Sequence, residues 1–414
     1  MCNGSVRMKL VILDMCITLG IFLAAACAGA DPGASGWRGN GSGVYENVQP
    51  PVTWSDKQNV RWSVEVGDSL SSPVVSGSRV FVTVQPAVLL CVDAATGKEL
   101  WRSEHGAGKV PADVAQELAE GKFGSGNAAP TPAADGTHVY VQFASSLVAC
   151  YDFQGRRKWV KAFGIGPVIR DGRSASPVLA GDKLLTQIGC LTALGAKTGE
   201  VLWRAKEAVE GYGTPLVTRL GGQDAAITPG GCVVLVENGK LLARKAAGLN
   251  FASPVLMGKT AFFIDSVAKA LDLPENAGPF QPKPRWTQSP DGQFYASPIA
   301  HDGLIHAVSD GAKYYVLDAR SGDILLEQDL PMPPAEEGGS ANAIVFSSLC
   351  LAGGLLYVGN DHGDTLVLQP GKTFKLLSRN HLGSGTVSTP TFAGKCMYLR
   401  SGRKLYCIAK GETP

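Results

Sequence analysis

Two short motifs carry the residue types that bind metal ions. His301 and His306 are the histidines with close spacing, and residues 360–364 read Asn-Asp-His-Gly-Asp, similar to a calcium loop. Calcium-binding loops usually end in a bidentate glutamate, which this motif lacks. We therefore expect His301 and His306 to be solvated or turn residues and residues 360–364 to form a hairpin turn. The sequence predicts no metal site.

The cysteines are ten in number, and three of them (Cys2, Cys16 and Cys27) lie within the first 30 residues. The remaining cysteines are odd in number and scattered along the chain, which is a poor match to a disulfide framework. We therefore expect these cysteines to be small buried hydrophobic residues. For one pair of cysteines, a disulfide remains an alternative. If Ser401-Gly402 forms a two-residue turn, Cys396 and Cys407 lie opposite each other and could form a disulfide.

Tryptophans and aspartates recur at equivalent positions. Trp101, Trp159 and Trp203 each follow a Thr-Gly or Gln-Gly turn, and Trp62 and Trp286 occupy the corresponding place in their segments. A single tryptophan could stack under a flat cofactor, and a single aspartate could be a base. Repetition favours packing between repeated units for the tryptophans. For the aspartates, it favours hydrogen bonding in turns. Those aspartates are Asp93, Asp152 and Asp318.

A repeated unit positions these residues. Each unit starts with an anchor, usually Ser-Pro or Thr-Pro, and continues through a glycine turn and apolar strand patterns to a second turn and an apolar tip. Anchor and tip are 26 to 32 residues apart, which leaves room for four short strands. The anchors are Pro73, Pro132, Pro177, Pro215, Pro254, Pro298, Pro390 and a degenerate copy at Leu349. Four-stranded units repeated about every forty residues are typical of β-propeller blades.

The two ends of the chain determine the number of blades. The unit that starts at Pro390 lacks its fourth strand, and an unassigned strand around Trp62 precedes the first anchor. Pairing them closes a ring and removes open sheet edges. We predict an all-β fold, an eight-bladed β-propeller of four-stranded antiparallel blades, closed by an N-terminal strand that completes the last blade. The propeller covers 59–410, and an N-terminal segment, 31–58, packs on it.

The first 30 residues differ from the rest. Arg7 and Lys9 precede an apolar run that ends at Ala28-Gly29-Ala30, which is typical of a signal peptide. An alternative is lipid anchoring through Cys27. We expect export to the periplasm or the extracellular space, and no transmembrane span in the mature chain. The net charge of +2 gives no electrostatic reason to expect nucleic-acid binding.

The repeat motif, as in Ser72-Pro73 followed by Asp93-Ala-Ala-Thr96-Gly97-Lys-Glu-Leu-Trp101, resembles the pyrroloquinoline-quinone (PQQ)-like repeat. The resemblance covers about residues 37 to 410. It implies a relation to secreted bacterial propellers, to the propeller lipoprotein of outer-membrane protein assembly and to quinoprotein dehydrogenases. Such dehydrogenases need a calcium site and a pair of adjacent cysteines, and no two cysteines of this sequence are adjacent. We therefore expect neither PQQ nor Ca²⁺, no catalytic residue, and a scaffold rather than an enzyme. A PQQ-dependent dehydrogenase, or another enzyme that uses the propeller funnel, is the alternative.

Binding is expected on the face where each blade connects to the next. The connections 103–127, 164–174 and 329–343 are long, and the first contains a short helical pattern at 111–120. Aromatic residues recur three positions before several anchors. The candidate residues of this face are Asn127, Arg170, Asp171, Arg173, Tyr212, Phe251, Tyr295 and Asn342. We expect a protein or polysaccharide partner in the cell envelope and a chain that can act as a monomer. Packing between blade tops is the alternative role.

Overall fold

The computed structural model describes residues 1, 35–105, 108–120, 127–164, 173–245, 247–332, 343–383, 385 and 387–411. Its strands form eight sheets arranged as propeller blades, as predicted. The predicted signal peptide and Cys27 lie outside the described residues. Within the described residues, no helix is long and apolar enough to cross a membrane.

Each blade contains four antiparallel strands, which follow one another from the inner to the outer strand. Blades one and two consist of Val74–Ser76, Arg79–Val84, Val88–Asp93 and Glu99–Glu104, and of Ala133–Ala134, His138–Gln142, Leu147–Asp152 and Arg157–Ala162. Blades three and four consist of Val178–Ala180, Lys183–Ile188, Cys190–Gly195 and Val201–Val209, and of Leu216–Leu220, Gln223–Ile227, Val233–Leu235 and Leu241–Ala243. Blades five and six consist of Val255–Met257, Thr260–Phe263, Ala268–Asp272 and Pro284–Gln288, and of Ile299–His301, Leu304–Val308, Lys313–Asp318 and Ile324–Asp329. Blades seven and eight consist of Cys350–Ala352, Leu355–Gly359, Asp364–Leu368 and Leu376–His381, and of Thr391–Ala393, Cys396–Ser401, Lys404–Ile408 and Val60–Glu65.

The eighth blade joins the two ends of the propeller. Val60–Glu65 is its outer strand and pairs antiparallel with Lys404–Ile408, with Val64 opposite Leu405. Val66, which follows this strand, packs in one cluster with Val80 of blade one and Tyr398 of blade eight. Burial follows strand position. Val88–Asp93 is almost entirely buried, whereas outer strands such as Ile324–Asp329 alternate between partly buried and exposed residues because one face is solvated.

Five blade tryptophans each dock their blade on the next one, as predicted. Each indole N–H donates to a backbone carbonyl of the following blade at 2.8 to 3.1 Å. The five pairs are Trp62 with Ala94, Trp101 with Phe153, Trp159 with Ala196, Trp203 with Val236, and Trp286 with Ala319. Their indoles are thus committed to the contacts between blades.

The aspartate turns are also confirmed. The Asp93 carboxylate accepts from the backbone N–H groups of Ala95 and Thr96, and the Asp318 carboxylate accepts from those of Arg320 and Ser321. Asp152 makes the same kind of turn contact with the N–H of Gln154. These carboxylates fix hairpins.

The two metal-like motifs have other roles in the structure. Residues 360–364 form a turn in which the Asn360 side chain accepts from the N–H groups of His362 and Asp364. His301 is partly exposed at a strand end, but the prediction for His306 is wrong, because His306 is buried and its Nδ1 lies 2.7 Å from the Tyr314 hydroxyl. Among the described residues, no three His, Cys, Asp or Glu side chains are placed to bind a metal.

The Cys396–Cys407 disulfide is not formed. The hairpin turns at Gly402-Arg403, because Ser401 pairs with Lys404, so Cys407 lies opposite Tyr398. Cys407 is a buried free thiol, as are the other free cysteines of the described residues. The expectation that cysteines act as small buried hydrophobes is confirmed for these, but it is wrong for Cys396, which is disulfide-bonded.

An N-terminal segment occupies the central channel. Ser35 exchanges two backbone hydrogen bonds with Ala134 of blade two, at 2.7 and 2.8 Å. The buried Arg38 donates from Nη2 to the carbonyl oxygens of Pro298 and Leu349, at the tops of blades six and seven. Because the inner strands surround the axis, contacts with blades on different sides place this segment on the axis.

The same segment adds a strand that the sequence analysis did not predict. Val44–Tyr45 pairs in parallel with Leu351–Ala352, so the sheet of blade seven has five strands. The chain then passes between blades seven and eight, where the backbone N–H of Trp54 donates to the Asn380 side-chain oxygen and the Trp54 ring stacks on Tyr357 with centroids 6.4 Å apart. The segment thereby blocks the channel before it reaches the outer strand of blade eight.

Candidate functional site

A funnel opens on the axis at the face where outer strands connect to the next inner strands. Its volume is about 590 Å³, within the usual range of small-ligand sites. Most of the lining comes from two repeat positions, one and three residues before each anchor. Trp37 of the channel segment contributes to the wall. The repeat therefore builds the site as well as the fold.

Eight hydroxyl groups form a ring around this funnel. They belong to the residue just before each anchor, which is Ser or Thr in all eight blades, and each accepts the backbone N–H of its counterpart in the preceding blade at 2.8 to 3.1 Å. In chain order they are Ser72, Thr131, Ser176, Thr214, Ser253, Ser297, Ser348 and Thr389. The last bond runs from the Thr389 N–H to the Ser72 hydroxyl, so the hydrogen-bond circle is complete.

Four aromatic side chains form an arc on one side of the funnel. Tyr212 and Phe251 stack with ring centroids 5.1 Å apart, and Phe251 and Tyr295 are 4.6 Å apart. Phe346 extends the arc at 4.8 Å from Tyr295. Blades four to seven each contribute one ring. The corresponding residues of the other four blades are smaller or aliphatic, namely Leu70, Ala129, Ser174 and Val387.

The funnel lining is uncharged. None of the 19 described residues that line it has a carboxylate, guanidinium, amine or imidazole group. Its polar side-chain groups are hydroxyls, the Gln293 amide and the Trp37 indole N–H. Such a surface can stack against a ligand and hydrogen-bond to it, but those side chains offer no ion pair.

The structure brings together three of the predicted site residues. Tyr212, Phe251 and Tyr295 lie side by side in the funnel wall. Asn127 lies on the same face but outside the funnel. Its amide donates to the Pro86 carbonyl and accepts from the Ser145 N–H, which ties blade one to blade two.

Arg173 has a structural contact instead of a surface position. Its side chain is 1% exposed and donates from Nε to the Glu210 carboxylate at 2.9 Å. The same carboxylate accepts the Gly189 N–H. Arg170, Asp171 and Asn342 lie outside the described residues. The predicted helix is present as Ala112–Glu120, with Val114 packed in the cluster shared by blades one and two.

Phe346, Trp37 and the role of the hydroxyl ring were not predicted from the sequence. Phe346 stands three residues before the degenerate anchor Leu349, so the rule that identified the other aromatics would have found it. The Ser or Thr before each anchor was visible as a repeat. Its bond to the next blade could be recognised only once the blades were placed side by side.

Known proteins are similar to this chain in sequence and fold. A protein described as "Outer membrane protein assembly factor BamB" from Yersinia pestis is 21% identical over 376 residues, 85% of this chain and 80% of that protein. A quinoprotein ethanol dehydrogenase from Pseudomonas aeruginosa is 27% identical over 213 residues, 45% of this chain and 32% of that enzyme. The crystal structure of BamB from Moraxella catarrhalis superposes with a TM-score of 0.59 at 12% identity, covering 84% of this chain and 99% of that one.

A family model covers most of the propeller. The model described as outer membrane protein assembly factor BamB, of the PQQ-repeat type, matches residues 51–273 and 276–409. The matched ranges start before the closing strand and end after the last one, in agreement with the eight blades. The chain belongs to this family of PQQ-repeat β-propellers.

Proposed function

We propose that this chain is a non-catalytic scaffold of the cell envelope that acts in outer-membrane protein assembly. Its funnel face, the face of the blade-to-blade connections, binds the partner. The observation that carries the proposal is the preformed, uncharged funnel, with its aromatic arc and hydroxyl ring. Binding sites on rigid propellers belong to the loops around one end of the axis.

The name of the relative from Yersinia pestis supports the assembly role, because the similarity extends over most of both chains. The signal-peptide pattern of residues 1–30 supports export, with lipid anchoring through Cys27 as the alternative means of retention in the envelope. The balanced net charge supports a protein or glycan partner over nucleic acid.

A quinoprotein dehydrogenase is the second candidate, favoured by the 27% identity to the Pseudomonas enzyme. Trp37 and the aromatic arc could contact a flat ring. The quinone of those enzymes is held with calcium, however, and calcium needs several oxygen ligands, usually carboxylates. No carboxylate stands among the described residues of the funnel, and the blade tryptophans are used for docking. The residues present do not fit this cofactor, so we favour the scaffold.

Photo-cross-linking in intact cells tests the proposed face. A photoreactive residue at Leu70, which is 47% exposed at the funnel, is compared with one at Leu202, which is 48% exposed on the outer strand of blade three. We expect position 70 to form an adduct with a component of the outer-membrane β-barrel assembly machinery and position 202 to form none. The same adduct from both positions, or none from position 70, would contradict the proposed face.

A further inference from the structure

We propose that the ligand of the funnel is a neutral saccharide. The inference rests on the proposed function, because it takes the funnel as the binding site, and it specifies what the site recognises. A saccharide presents apolar C–H faces and a rim of hydroxyl groups. The funnel presents the matching pair of surfaces, an aromatic arc and a ring of hydroxyls.

The aromatic arc supplies the apolar half of the recognition. Tyr212, Phe251, Tyr295 and Phe346 are each partly exposed, and neighbouring rings support one another at 4.6 to 5.1 Å. The face of an aromatic ring is electron-rich, so it attracts the weakly positive C–H groups of a sugar ring. Four adjacent rings offer room for consecutive sugar units along the wall.

The hydroxyl ring supplies the polar half. Each Ser or Thr oxygen accepts a backbone N–H, which fixes its position, as for Ser253 with the Thr214 N–H and Ser297 with the Ser253 N–H. A hydroxyl that accepts one bond still has its own proton to donate and a further lone pair. The Gln293 amide adds a donor and an acceptor on the side of Tyr295. Sugar hydroxyls pair with such groups without any charge.

Neutrality selects the class of saccharide. An acidic sugar needs a cation for its carboxylate, and the described lining residues provide none. The guanidinium of Arg38, with its centre 5.2 Å from the Trp37 ring, is buried and hydrogen-bonded to two carbonyl oxygens. A quaternary ammonium ligand would use the aromatic rings but would form no hydrogen bond with the hydroxyls of the ring.

Isothermal titration calorimetry of the full chain tests the inference. The probes are three neutral tetrasaccharides, chitotetraose, cellotetraose and maltotetraose, and one acidic tetrasaccharide, tetragalacturonate. We expect at least one neutral probe to bind at one site with a Kd of ~1 mM or tighter, and the acidic probe to bind at least tenfold more weakly. Binding by no neutral probe, or tighter binding of the acidic one, would overturn the inference.

Variants locate the binding. Tyr295→Ala should weaken binding by about tenfold, and Tyr295→Leu should do so too, because it keeps apolar volume but removes the aromatic face. Leu202→Ala, on the outer strand of blade three, is the matched control and should leave the Kd unchanged. Unfolding curves verify that each variant is folded. If both Tyr295 variants bind like the wild type, the funnel is not the saccharide site.

The saccharide test is separable from the cross-linking test. If position 70 forms an adduct with an assembly component but no saccharide binds, the proposed scaffold function is supported and the saccharide ligand is rejected. Saccharide binding that depends on Tyr295, together with no adduct at Leu70, keeps the ligand class and rejects the protein partner on this face.

Discussion

At the residue scale, the docking of a blade tryptophan depends on a glycine in the next blade. Gly199 has φ +70°, and a Cβ atom there would lie 2.7 Å from the Trp159 ring. Gly181, in the same blade, has φ +60° but open space around it. The two positions share a left-handed backbone and differ in the contact with tryptophan.

This difference gives a matched stability prediction. Gly181→Ala should lower the free energy of unfolding by about 1–2 kcal/mol, since only backbone strain is added. Gly199→Ala should lower the free energy of unfolding by roughly 1–3 kcal/mol more than Gly181→Ala does, because the Trp159 indole must move from its site. Urea unfolding of both variants measures the two values. Equal costs would show that Trp159 does not press on Gly199.

Two buried histidines predict a pH dependence. Burial lowers the pKa of His105 to about 4 and that of His306 to about 4, from an ordinary value of 6.5. Well above pH 6.5 both are neutral in the folded and unfolded chains, so they add no pH dependence there. Between about pH 6.5 and 4 the unfolded chain takes up protons that the folded chain does not. Each histidine should therefore lower the free energy of unfolding by up to about 1.4 kcal/mol per pH unit as pH falls.

Urea unfolding at several pH values measures this slope. The double variant His105→Gln/His306→Gln should have a shallower slope between pH 6.5 and 4 than the wild type. His381→Gln, a change at an exposed histidine on the outer strand of blade seven, is the control and should keep the wild-type slope. A double variant with an unchanged slope would contradict the assignment of the effect to the two buried histidines.

Repetition decided which residues could be predicted. The roles of Trp101 and Asp93 were predicted because each occurs at an equivalent position in several units. His306 occurs once, and nothing in its surrounding sequence indicated that it faces the core beside Tyr314. The Cys396–Cys407 pairing failed because a small shift of the turn changes every partner along a hairpin, so sequence alone does not fix the register.

At the scale of the structural elements, the contact that closes the ring of blades is a hydrogen bond between blades eight and one. Ser72→Ala removes the acceptor of the Thr389 N–H, and Ser253→Ala removes the acceptor of the Thr214 N–H within the ring. Each leaves a buried N–H without its partner, which should cost about 1–3 kcal/mol. Urea unfolding compares them. A complete ring predicts similar losses, whereas an open ring predicts almost none for Ser72→Ala.

Ser253→Thr is the control for this comparison. Since threonine occupies the same position in other blades, the variant keeps the hydroxyl acceptor and should lose little stability. A large loss in Ser253→Thr would mean that crowding, and not the missing bond, explains the alanine result.

Elements were predictable where a strand was long enough to show alternation. The outer strand Val60–Glu65 could be recognised from its alternating pattern and from the missing fourth strand of the last unit. Val44–Tyr45 is too short for any pattern, and its partner is distant in sequence. The path of the N-terminal segment through the channel likewise depends on contacts such as Arg38 with Pro298 and Leu349, which no local signal reveals.

At the scale of the whole molecule, the ring and the site have one origin. The same repeat position that joins neighbouring blades also places a hydroxyl at the funnel, and the position two residues earlier places the aromatic arc. The blade number and this face were predictable from the repeat. The depth of the funnel and its closure by the channel segment were not, because they follow from the packing of all eight blades around the axis.

The central claim is that this funnel binds a partner and is not a quinone-dependent active centre. Titration of the purified chain with pyrroloquinoline quinone and calcium, followed by absorbance and by dye-linked alcohol oxidation, tests it most directly. The uncharged lining predicts no saturable spectral change and no oxidation above the level without protein. Uptake of one quinone per chain with calcium-dependent alcohol oxidation would contradict the claim.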